Sequence, residues 1–402
     1  MDCYVYDTLR SPRGRGKING SLHTVTSVNL FTQVIKAIVN RYPEASLDVE
    51  DVIAGCVMPV GEQGANIARV TALKAGLPQS CTGMQINRFC ASGLDAIGIA
   101  AAKIQSNQIQ AGLAGGVESM SRVPMSSDGG AMIVDPSVAF DLSIIPQGIS
   151  ADLISTLEGF SRESLDEYAV QSHQRAFHAQ SQGWFKPSII PIINHLGDVL
   201  LDHDETIRPE CSIKTLKKLN PSFEMIGQLA GFNEVAIQKY PQLEKIIHHH
   251  HPGNSSAIVD GASIVLLGNK AFGDKHQLKP KAKIITMTSM GSEPSIMLTA
   301  PAKVAKKALN LAKMSSKDID LWEVNEAFSS VILNFMREME MEDDTTLNVN
   351  GGAIAMGHPL GATGAMIFGT VLDELHRRNQ QTALISLCVA GGMGSAAIIE
   401  RI

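Results

Sequence analysis

The chain has 402 residues, of which 44% are hydrophobic and 5% aromatic, with 35 glycines. This length suffices for two or three domains, and the composition is typical of a compact α/β enzyme with many tight loops. The net charge of −6 and the pI near 6.1 give no basic footprint for nucleic acid. We expect no membrane partner and a cytoplasmic location, since the sequence has neither a basic amphipathic stretch nor an apolar leader or membrane-spanning run.

The predicted elements of the first 117 residues form one α/β unit. An apolar stripe predicts a helix over Ser27–Arg41, and a strand follows at Asp51–Val57. A second strand, Met84–Asn87, enters a Gly/Ala-rich loop and a helix that ends near Gln105. The apolar run Gln110–Ala114 is the next predicted strand.

The last third of the chain repeats this order. Its predicted elements are a helix at Ala302–Ala312, a strand within Ser316–Asn325, a strand at Leu347–Asn350, a helix through about Arg378, and strands at Thr382–Cys388 and Ser395–Ile399. Such a repeat predicts two similar α/β halves that pack their sheets around buried helices.

The segment between the halves differs in composition. It has many polar residues and two predicted helices, Ser164–Ser181 and Met225–Tyr240. We interpret it as an elaborated insertion. The strand Ala262–Gly268 is expected to return to the first half, and Lys283–Thr288 to open the second. The predicted domains are residues 1–117 with 255–275, an inserted loop domain at 118–254, and residues 276–402.

Cys90 lies in the motif NRFCASG (Asn87–Gly93), where an apolar strand ends and a helical run begins. A sulfur at a helix N-terminus lies near unpaired backbone N–H groups and the positive end of the helix dipole, which favour the thiolate. The motif therefore predicts a nucleophile. The alternative at this point is a buried structural cysteine in a tight turn.

The remaining cysteines lie far apart, without C-x-x-C spacing, and are predicted to be reduced. We interpret four of them as small buried hydrophobic residues: Cys3, Cys56, Cys81 and Cys211.

His358 lies in GHPLGATGA, on a turn that Gly357 and Pro359 restrict, ahead of a predicted helix at Ala365–Leu375. Its loop has the position in the second half that the Cys90 loop has in the first. Pseudo-symmetric halves would bring the two helix starts together, so we expect His358 to deprotonate Cys90.

Cys388 and Asn325 complete the predicted site. Cys388 ends a strand in the turn CVAGGMG, which suits a second thiol that moves a proton, and the turn offers backbone N–H groups to an oxyanion. Asn325, in NEAF, can fix a water molecule or a carbonyl without titrating. The alternatives are an inert buried cysteine and a helix N-cap.

These motifs, with GGVESMS and GNSS, occur in the order and spacing of the thiolase family (acetyl-CoA C-acyltransferases and acetyltransferases), which the chain resembles over essentially its whole length. The resemblance implies an α/β fold of two mixed-sheet halves stacked as five layers (αβαβα), with a loop domain over the CoA site. It implies a homodimer or homotetramer. It further implies reversible, CoA-dependent thiolytic cleavage of 3-ketoacyl-CoA to acyl-CoA and acetyl-CoA, with CoA as co-substrate and no permanently bound cofactor or metal.

By this resemblance, Cys90 is the acylated nucleophile and His358 its base and an oxyanion donor. Cys388 is the acid/base at the substrate α-carbon or the incoming thiol, and Asn325 holds an oxyanion-hole water. The backbone N–H groups of Cys90 and Ala390 form the second oxyanion hole. The residues matched to CoA or substrate contacts are Ser256, Met297, Ala327, Phe328 and Phe223.

The chain departs from the short-chain members of the family in its covering loop. Their His-Met-Gly-Thr-Thr-Ala-Glu segment is Pro146–Asp152 here, Asn220 replaces the basic residue expected before Pro-x-Phe, and Met225–His251 contains extra residues. This combination resembles the branch that includes thiolases acting on bulky or steroid-derived side chains, so a substrate larger than acetoacetyl-CoA is our hypothesis.

Two other functions stay open at this point. A ketosynthase-like condensing enzyme shares a cysteine at a helix start but usually pairs it with two histidines, and a catalytically silent acyl-CoA carrier would not need all four catalytic positions. Four consecutive histidines, His248–His251, resemble a metal tract, but consecutive residues rarely present convergent ligands, so we expect no metal there.

Overall fold

The computed structural model describes residues 1–402, apart from the side chain of Ile133. The strands are β1 (Tyr4–Arg10), β2 (Gly14–Arg15), β3 (Asp51–Gly55), β4 (Thr82–Ile86), β5 (Ala111–Ser119), β6 (Ile192–Ile193), β7 (Val199–Leu201), β8 (Val259–Gly268), β9 (Ala282–Gly291), β10 (Leu321–Val324), β11 (Thr382–Val389) and β12 (Met393–Arg401).

The helices are α1 (Ser27–Arg41), α2 (Pro43–Ser46), α3 (Ile67–Ala75), α4 (Ser92–Gln105), α5 (Ala131–Val134), α6 (Pro136–Asp141), α7 (Gln147–Glu158), α8 (Arg162–Ser181), α9 (Ile213–Leu216), α10 (Glu224–Leu229), α11 (Phe232–Lys239), α12 (Lys270–Lys275), α13 (Ala300–Ala312), α14 (Ser329–Glu338), α15 (Ala353–Met356) and α16 (Leu360–Arg378).

The main sheet repeats one strand order in the two halves. In the first half the order is β1-β8-β5-β3-β4, and in the second it is β9-β12-β11-β10. The directions also repeat, because the first two pairings of each half are antiparallel and the following one is parallel. A short antiparallel pairing of β1 with β9 joins the halves into one continuous sheet. The duplication predicted from the sequence is confirmed.

Two helices form the central layer between the sheet halves. The apolar side chains of α4 and α16, such as Leu94 and Phe368, share one buried cluster with side chains of β3 and β11. A second cluster packs α1 and α3 on the outer face of the first half, and a third packs α13 and α14 on the second. Burial of both faces of each half-sheet thus produces the predicted five layers.

Helix α1 illustrates how local sequence sets an element. The Thr26 hydroxyl caps its N-terminus by accepting from the N–H of Asn29, and the stripe of Leu30, Val34 and Ile38 faces the core. The observed bounds, Ser27–Arg41, are the predicted ones.

Three predicted elements were wrong in detail. Leu347–Asn350 forms only a single parallel bridge, between Trp322 and Leu347, where the pseudo-symmetry places the counterpart of β4. The helix predicted at Met225–Tyr240 is broken into α10 and α11, because Gly231 adopts a left-handed conformation with φ 73°. The helix predicted at Ala365–Leu375 begins at Leu360, directly after Pro359, which fits a helix start.

The segment between β5 and β8 carries α5 to α11 and the small hairpin β6-β7. Across the described residues, we find no helix with the length and apolar character needed to cross a bilayer.

Candidate active site

Cys90 lies in a constrained turn between β4 and α4. The preceding Phe89 has a φ of 43°, which is unusual for a residue with a side chain. The Ser92 hydroxyl accepts from the N–H of Arg88 at 2.8 Å and donates to the carbonyl of Phe89 at 2.6 Å. These bonds hold the turn that precedes α4, and Cys90 within it is only 5% exposed.

The sulfur of Cys90 faces the turn that follows β11. The backbone N–H groups of Cys90 and Ala390 both interact with it, as does the side chain of Gln147 at the start of α7. Gly391 and Gly392, with φ of 75° and 73°, allow the chain to reverse directly after Ala390. Cys388, at the end of the same strand, is close enough to Cys90 to interact with it electrostatically.

Burial decides the protonation of both thiols. It raises the pKa of Cys90 to about 11, although the N–H groups of Ala390 and Cys90 act in the opposite direction. Burial and the neighbouring Cys90 also raise the pKa of Cys388. The backbone N–H groups thus act in the direction expected for the start of a helix, but loss of solvation outweighs them and the net shift favours the thiol. Both sulfurs are thiols in the free protein.

The other cysteines are also buried, and all six are free. Burial raises the pKa of Cys3 to about 12 and that of Cys81 to about 11. These values fit their interpretation as unreactive packing residues.

His358 is held by its own loop in one tautomer. Its Nδ1 lies 2.6 Å from the Thr363 hydroxyl, which donates its hydrogen to the carbonyl of Pro359 at 3.0 Å. The hydroxyl must therefore accept from Nδ1–H, which leaves the lone pair on Nε2. The sequence interpretation missed Thr363, whose position one turn into α16 was the available signal.

Burial, and then the charge of Arg13, lower the pKa of His358 to about 3. Arg13 is 2% exposed, donates to the sulfur of Met356 at 3.7 Å and pairs with Asp204. The imidazole is therefore neutral and able to accept a proton. Arg13 was not predicted as a site residue, and nothing in its local sequence indicated that it would be buried beside His358.

Asn325 lies next to His358, with its Nδ2 3.4 Å from Nε2. Its Oδ1 is buried and has no hydrogen-bond partner among the described residues, so this atom is available to a water molecule. The next residue, Glu326, fixes the loop because its carboxylate accepts from Tyr168 and Ser172, each at 2.7 Å.

Close contact between α4 and α16 brings the two halves of the site together. Gly93 and Gly361 each follow the candidate catalytic residue, Cys90 or His358, by three positions. A Cβ on Gly93 would lie 2.7 Å from the Gly361 carbonyl, so only glycine permits this approach. The Glu118 carboxylate, from β5, accepts from the N–H groups of Gly361 and Val57, each at 2.9 Å, and so connects the start of α16 to the segment after β3.

The residues matched to CoA contacts form one apolar wall with Cys388. Met297, Ala327, Phe328 and Cys388 belong to a single buried cluster, against which Phe223 packs. The Phe223 and Phe328 rings meet edge to face with centroids 6.1 Å apart.

Ser256 is hydrogen-bonded into this region, since its N–H donates to the Ala327 carbonyl at 2.9 Å. Its neighbour Ala257 accepts from the N–H of His358, also at 2.9 Å. Every candidate residue thus lies in or beside one buried region.

Within the part of the chain that the structure describes, no group of three or more His, Cys, Asp or Glu side chains is arranged to hold a metal ion.

Comparison with known proteins agrees with this geometry. Residues 3–238 match the family model of the thiolase N-terminal domain, and residues 278–401 match that of the thiolase C-terminal domain. The 3-ketoacyl-CoA thiolase of Klebsiella pneumoniae is 36% identical, with 99% of each chain covered. The 3-oxoadipyl-CoA/3-oxo-5,6-dehydrosuberyl-CoA thiolase of Escherichia coli K12 is 34% identical, with both chains fully covered.

A solved structure, that of the Bacillus anthracis acetyl-CoA acetyltransferase, superposes with a TM-score of 0.85 at 31% identity, covering 100% of this chain and 99% of that one. The chain therefore belongs to the thiolase family. The predicted fold class and the predicted acyltransferase class are both confirmed. The same matches support thiolytic function, and none favours a ketosynthase or a silent carrier.

Proposed function

We propose that this thiolase cleaves 3-ketoacyl-CoA with CoA through an acyl-Cys90 intermediate, with His358, Cys388 and Asn325 as the other catalytic residues. The proposal depends on the position of the Cys90 sulfur, which interacts with its own N–H and with that of Ala390. Ala390 directly follows β11, the strand that carries Cys388 near its end. A nucleophile, an oxyanion site and a second thiol are thus assembled in one buried place.

In the first half-reaction, the Cys90 thiol passes its proton to Nε2 of His358 as the sulfur attacks the 3-keto carbon. The bond between C2 and C3 then breaks, and the acyl group stays on Cys90 as a thioester. The leaving acetyl-CoA enolate takes the proton of the Cys388 thiol. Before substrate binds, burial keeps both thiols protonated and the imidazole neutral, so the transfer of the Cys90 proton to His358 must accompany the attack of the sulfur.

In the second half-reaction, the Cys388 thiolate takes the proton of CoA, whose sulfur attacks the acyl carbonyl. The tetrahedral intermediate collapses and Cys90 leaves, recovering its proton from His358. The N–H groups of Cys90 and Ala390 stabilise one oxyanion, and His358 with a water on Asn325 stabilises the other. Loss of one such donor costs about 3 kcal/mol in the transition state.

We assign CoA to the apolar wall of Met297, Ala327 and Phe328, with Ser256 at the pantetheine arm and Phe223 towards the adenine. CoA is then a co-substrate and no permanently bound cofactor takes part. The burial of this wall against Cys388 supports the assignment, since the thioester must end at the sulfurs.

The proposal is tested by CoA-dependent loss of the enolate absorbance of a 3-ketoacyl-CoA. We expect turnover in the wild type, loss of turnover by at least about a thousandfold in Cys90→Ser, and a comparable loss in Cys388→Ala. Cys211→Ser is the matched control, because this cysteine lies in the cluster of the second half with α13 and α14, away from the wall at Cys388.

Substrate binding without turnover in the wild type would instead indicate a carrier. Decarboxylative condensation with a malonyl donor would indicate a ketosynthase.

We further propose an acyl group larger than acetyl. The segment Pro146–Asp152, which differs from that of the short-chain members, forms the start of α7. There the Gln147 side chain interacts with the Cys90 sulfur, and Ile149 joins the buried cluster that contains Cys388. The acyl side of the site is therefore shaped by residues that differ from those of short-chain members. A strong preference in kcat/KM for acetoacetyl-CoA over a bulky 3-ketoacyl-CoA, including a steroid-derived one, would remove this hypothesis.

A homodimer and a cytoplasmic location complete the proposal. Strand β4 lies at the edge of the main sheet, and Met84 on it and Leu73 on the neighbouring α3 are exposed. An unpaired edge strand next to exposed apolar side chains favours pairing with a second copy. The six free thiols support a reducing compartment.

A further inference from the structure

Asp152, on α7, binds the tract His248–His251 with four hydrogen bonds. Its Oδ2 lies 2.7 Å from Nδ1 of His248, and its Oδ1 lies 2.7 Å from Nδ1 of His250. Oδ1 also accepts from the backbone N–H groups of His249 and His250 at 2.9 and 3.0 Å. The carboxylate is fully buried, and these bonds, against the cost of its burial, lower its pKa to about 2. It is therefore ionised at neutral pH.

The two imidazoles on this carboxylate have different surroundings. His248 is satisfied on both nitrogens, since its Nε2 lies 3.1 Å from Nδ2 of Asn233. His250 is completely buried, and its Nε2 has no partner among the described residues. The ring of His250 instead meets the ring of Phe328 edge to face, with centroids 5.4 Å apart.

The backbone of His250 also fixes the segment that carries Phe223, the aromatic residue that packs against the wall. Its carbonyl accepts from the N–H of Ser222 at 2.8 Å, directly before Phe223. The following residue, His251, is anchored separately, because its Nε2 lies 2.8 Å from Asp166. Carboxylates on two helices, Asp152 on α7 and Asp166 on α8, thus fix the tract on both sides of the His250 ring.

We propose that His250, held by Asp152, is a positioning residue that sets the Phe328 ring for CoA and so contributes to CoA affinity. This inference rests on the proposed function in one respect, namely that Phe328 contacts CoA. The reason that His250 and not His248 has this role is the ring contact, which only His250 makes. This role accounts for the two imidazoles that bind one carboxylate, although the described residues contain no cluster that could hold a metal ion.

The test compares His250→Asn with His248→Asn. An asparagine at either position keeps a short polar group for Asp152 and removes the ring. We expect the Kd for desulfo-CoA, measured by calorimetry, and the KM for CoA to rise roughly three- to tenfold in His250→Asn, with kcat within about twofold. His248→Asn should change each by less than about twofold. Alkylation of Cys90 by iodoacetamide should keep its rate in both variants.

A double-mutant cycle identifies the route of the effect. In a Phe328→Leu background, His250→Asn should add little, because the ring that it positions is gone. Equal weakening by both histidine variants, no weakening by His250→Asn, or full additivity with Phe328→Leu would overturn the proposal. If His250→Asn does not fold, His250→Gln is measured with the same expectation. Because desulfo-CoA binding needs no turnover, the expected pattern in a protein without thiolase activity would overturn the proposed function and support this inference.

Discussion

Thr363 holds the His358 imidazole through a single hydrogen bond. Its hydroxyl fixes the His358 tautomer that exposes the Nε2 lone pair. We expect Thr363→Val to lower kcat/KM roughly fivefold to tenfold, since a buried hydrogen bond of this kind contributes about 1 kcal/mol. Thr363→Ser keeps the hydroxyl and should stay near the wild type. Steady-state kinetics at fixed pH test both, and equal losses in the two variants would argue against the tautomer role.

Arg13 acts on the same imidazole through its charge. His358 must be neutral to accept a proton, and its pKa of about 3 keeps it so down to mildly acidic pH. Removing the nearby positive charge raises this pKa, so in Arg13→Met the fall of kcat/KM on the acid side should move to higher pH. Profiles from about pH 3, where the wild-type imidazole titrates, up to pH 8 measure this shift.

Arg10→Met is the control for Arg13→Met, because Arg10 binds the same Asp204 but is not among the groups that shift the pKa of His358. An unchanged profile in Arg13→Met, or the same shift in Arg10→Met, would contradict the charge effect.

The sequence indicated which residues belong to the candidate site, but not how deeply they are buried or which charges lie beside them. Cys90, His358 and Cys388 each stand in a short Gly/Ala-rich turn, which is visible without a structure. The pKa of Cys90 was not predictable, because it depends on burial by chain segments far away in sequence. Arg13 was missed for the same reason.

At the scale of elements, the close crossing of α4 and α16 fixes the separation of the Cys90 and His358 loops. A Cβ on Gly364 would lie 2.3 Å from the backbone nitrogen of Leu94, a contact that backbone cannot relieve. We expect Gly364→Ala to destabilise the fold by about 1–3 kcal/mol, as overpacking does.

Gly98→Ala on α4 is the matched control, because its Cβ would meet only the flexible side chain of Met287, at 3.5 Å. It should be neutral or stabilising by up to about 1 kcal/mol through helix propensity. Denaturant unfolding of the two variants measures the difference, and similar stability in both would show that the crossing is not tight.

Helices α1 and α8 were both predicted closely, and α1 has the clear apolar stripe on which such a prediction depends. Two of the errors lie where the backbone conformation of one residue interrupts an element that the hydrophobic pattern had predicted. Gly231 splits one predicted helix, and Asn348, with φ of 46°, interrupts a predicted strand. The first strand, β1, was not predicted, although it joins the two halves of the sheet.

For the molecule as a whole, the free edge of β4 predicts the oligomeric state. We expect a dimer by light scattering, and Met84→Lys should shift it towards monomer, because a charge on an edge strand opposes pairing. Met225→Lys, at another exposed apolar residue, is the control and should stay dimeric. A monomeric wild type, or dissociation by both variants, would contradict this interface.

The duplication was readable from the sequence because both halves keep the same order of helices and strands. The domain boundaries at 117, 254 and 275 stay a prediction. The course of the inserted segment, with the start of α7 beside the Cys90 sulfur, could not be predicted, because its polar sequence carries little periodicity.

The central claim is that Cys90 carries the acyl group in a chamber shared with Cys388 and His358. Mass spectrometry of the protein, quenched during turnover of a 3-ketoacyl-CoA and then digested, tests it most directly. We expect one acyl group per chain, located on the peptide that contains Cys90, and none in Cys90→Ser. An acyl group on a different residue, or steady turnover by Cys90→Ser, would contradict the account.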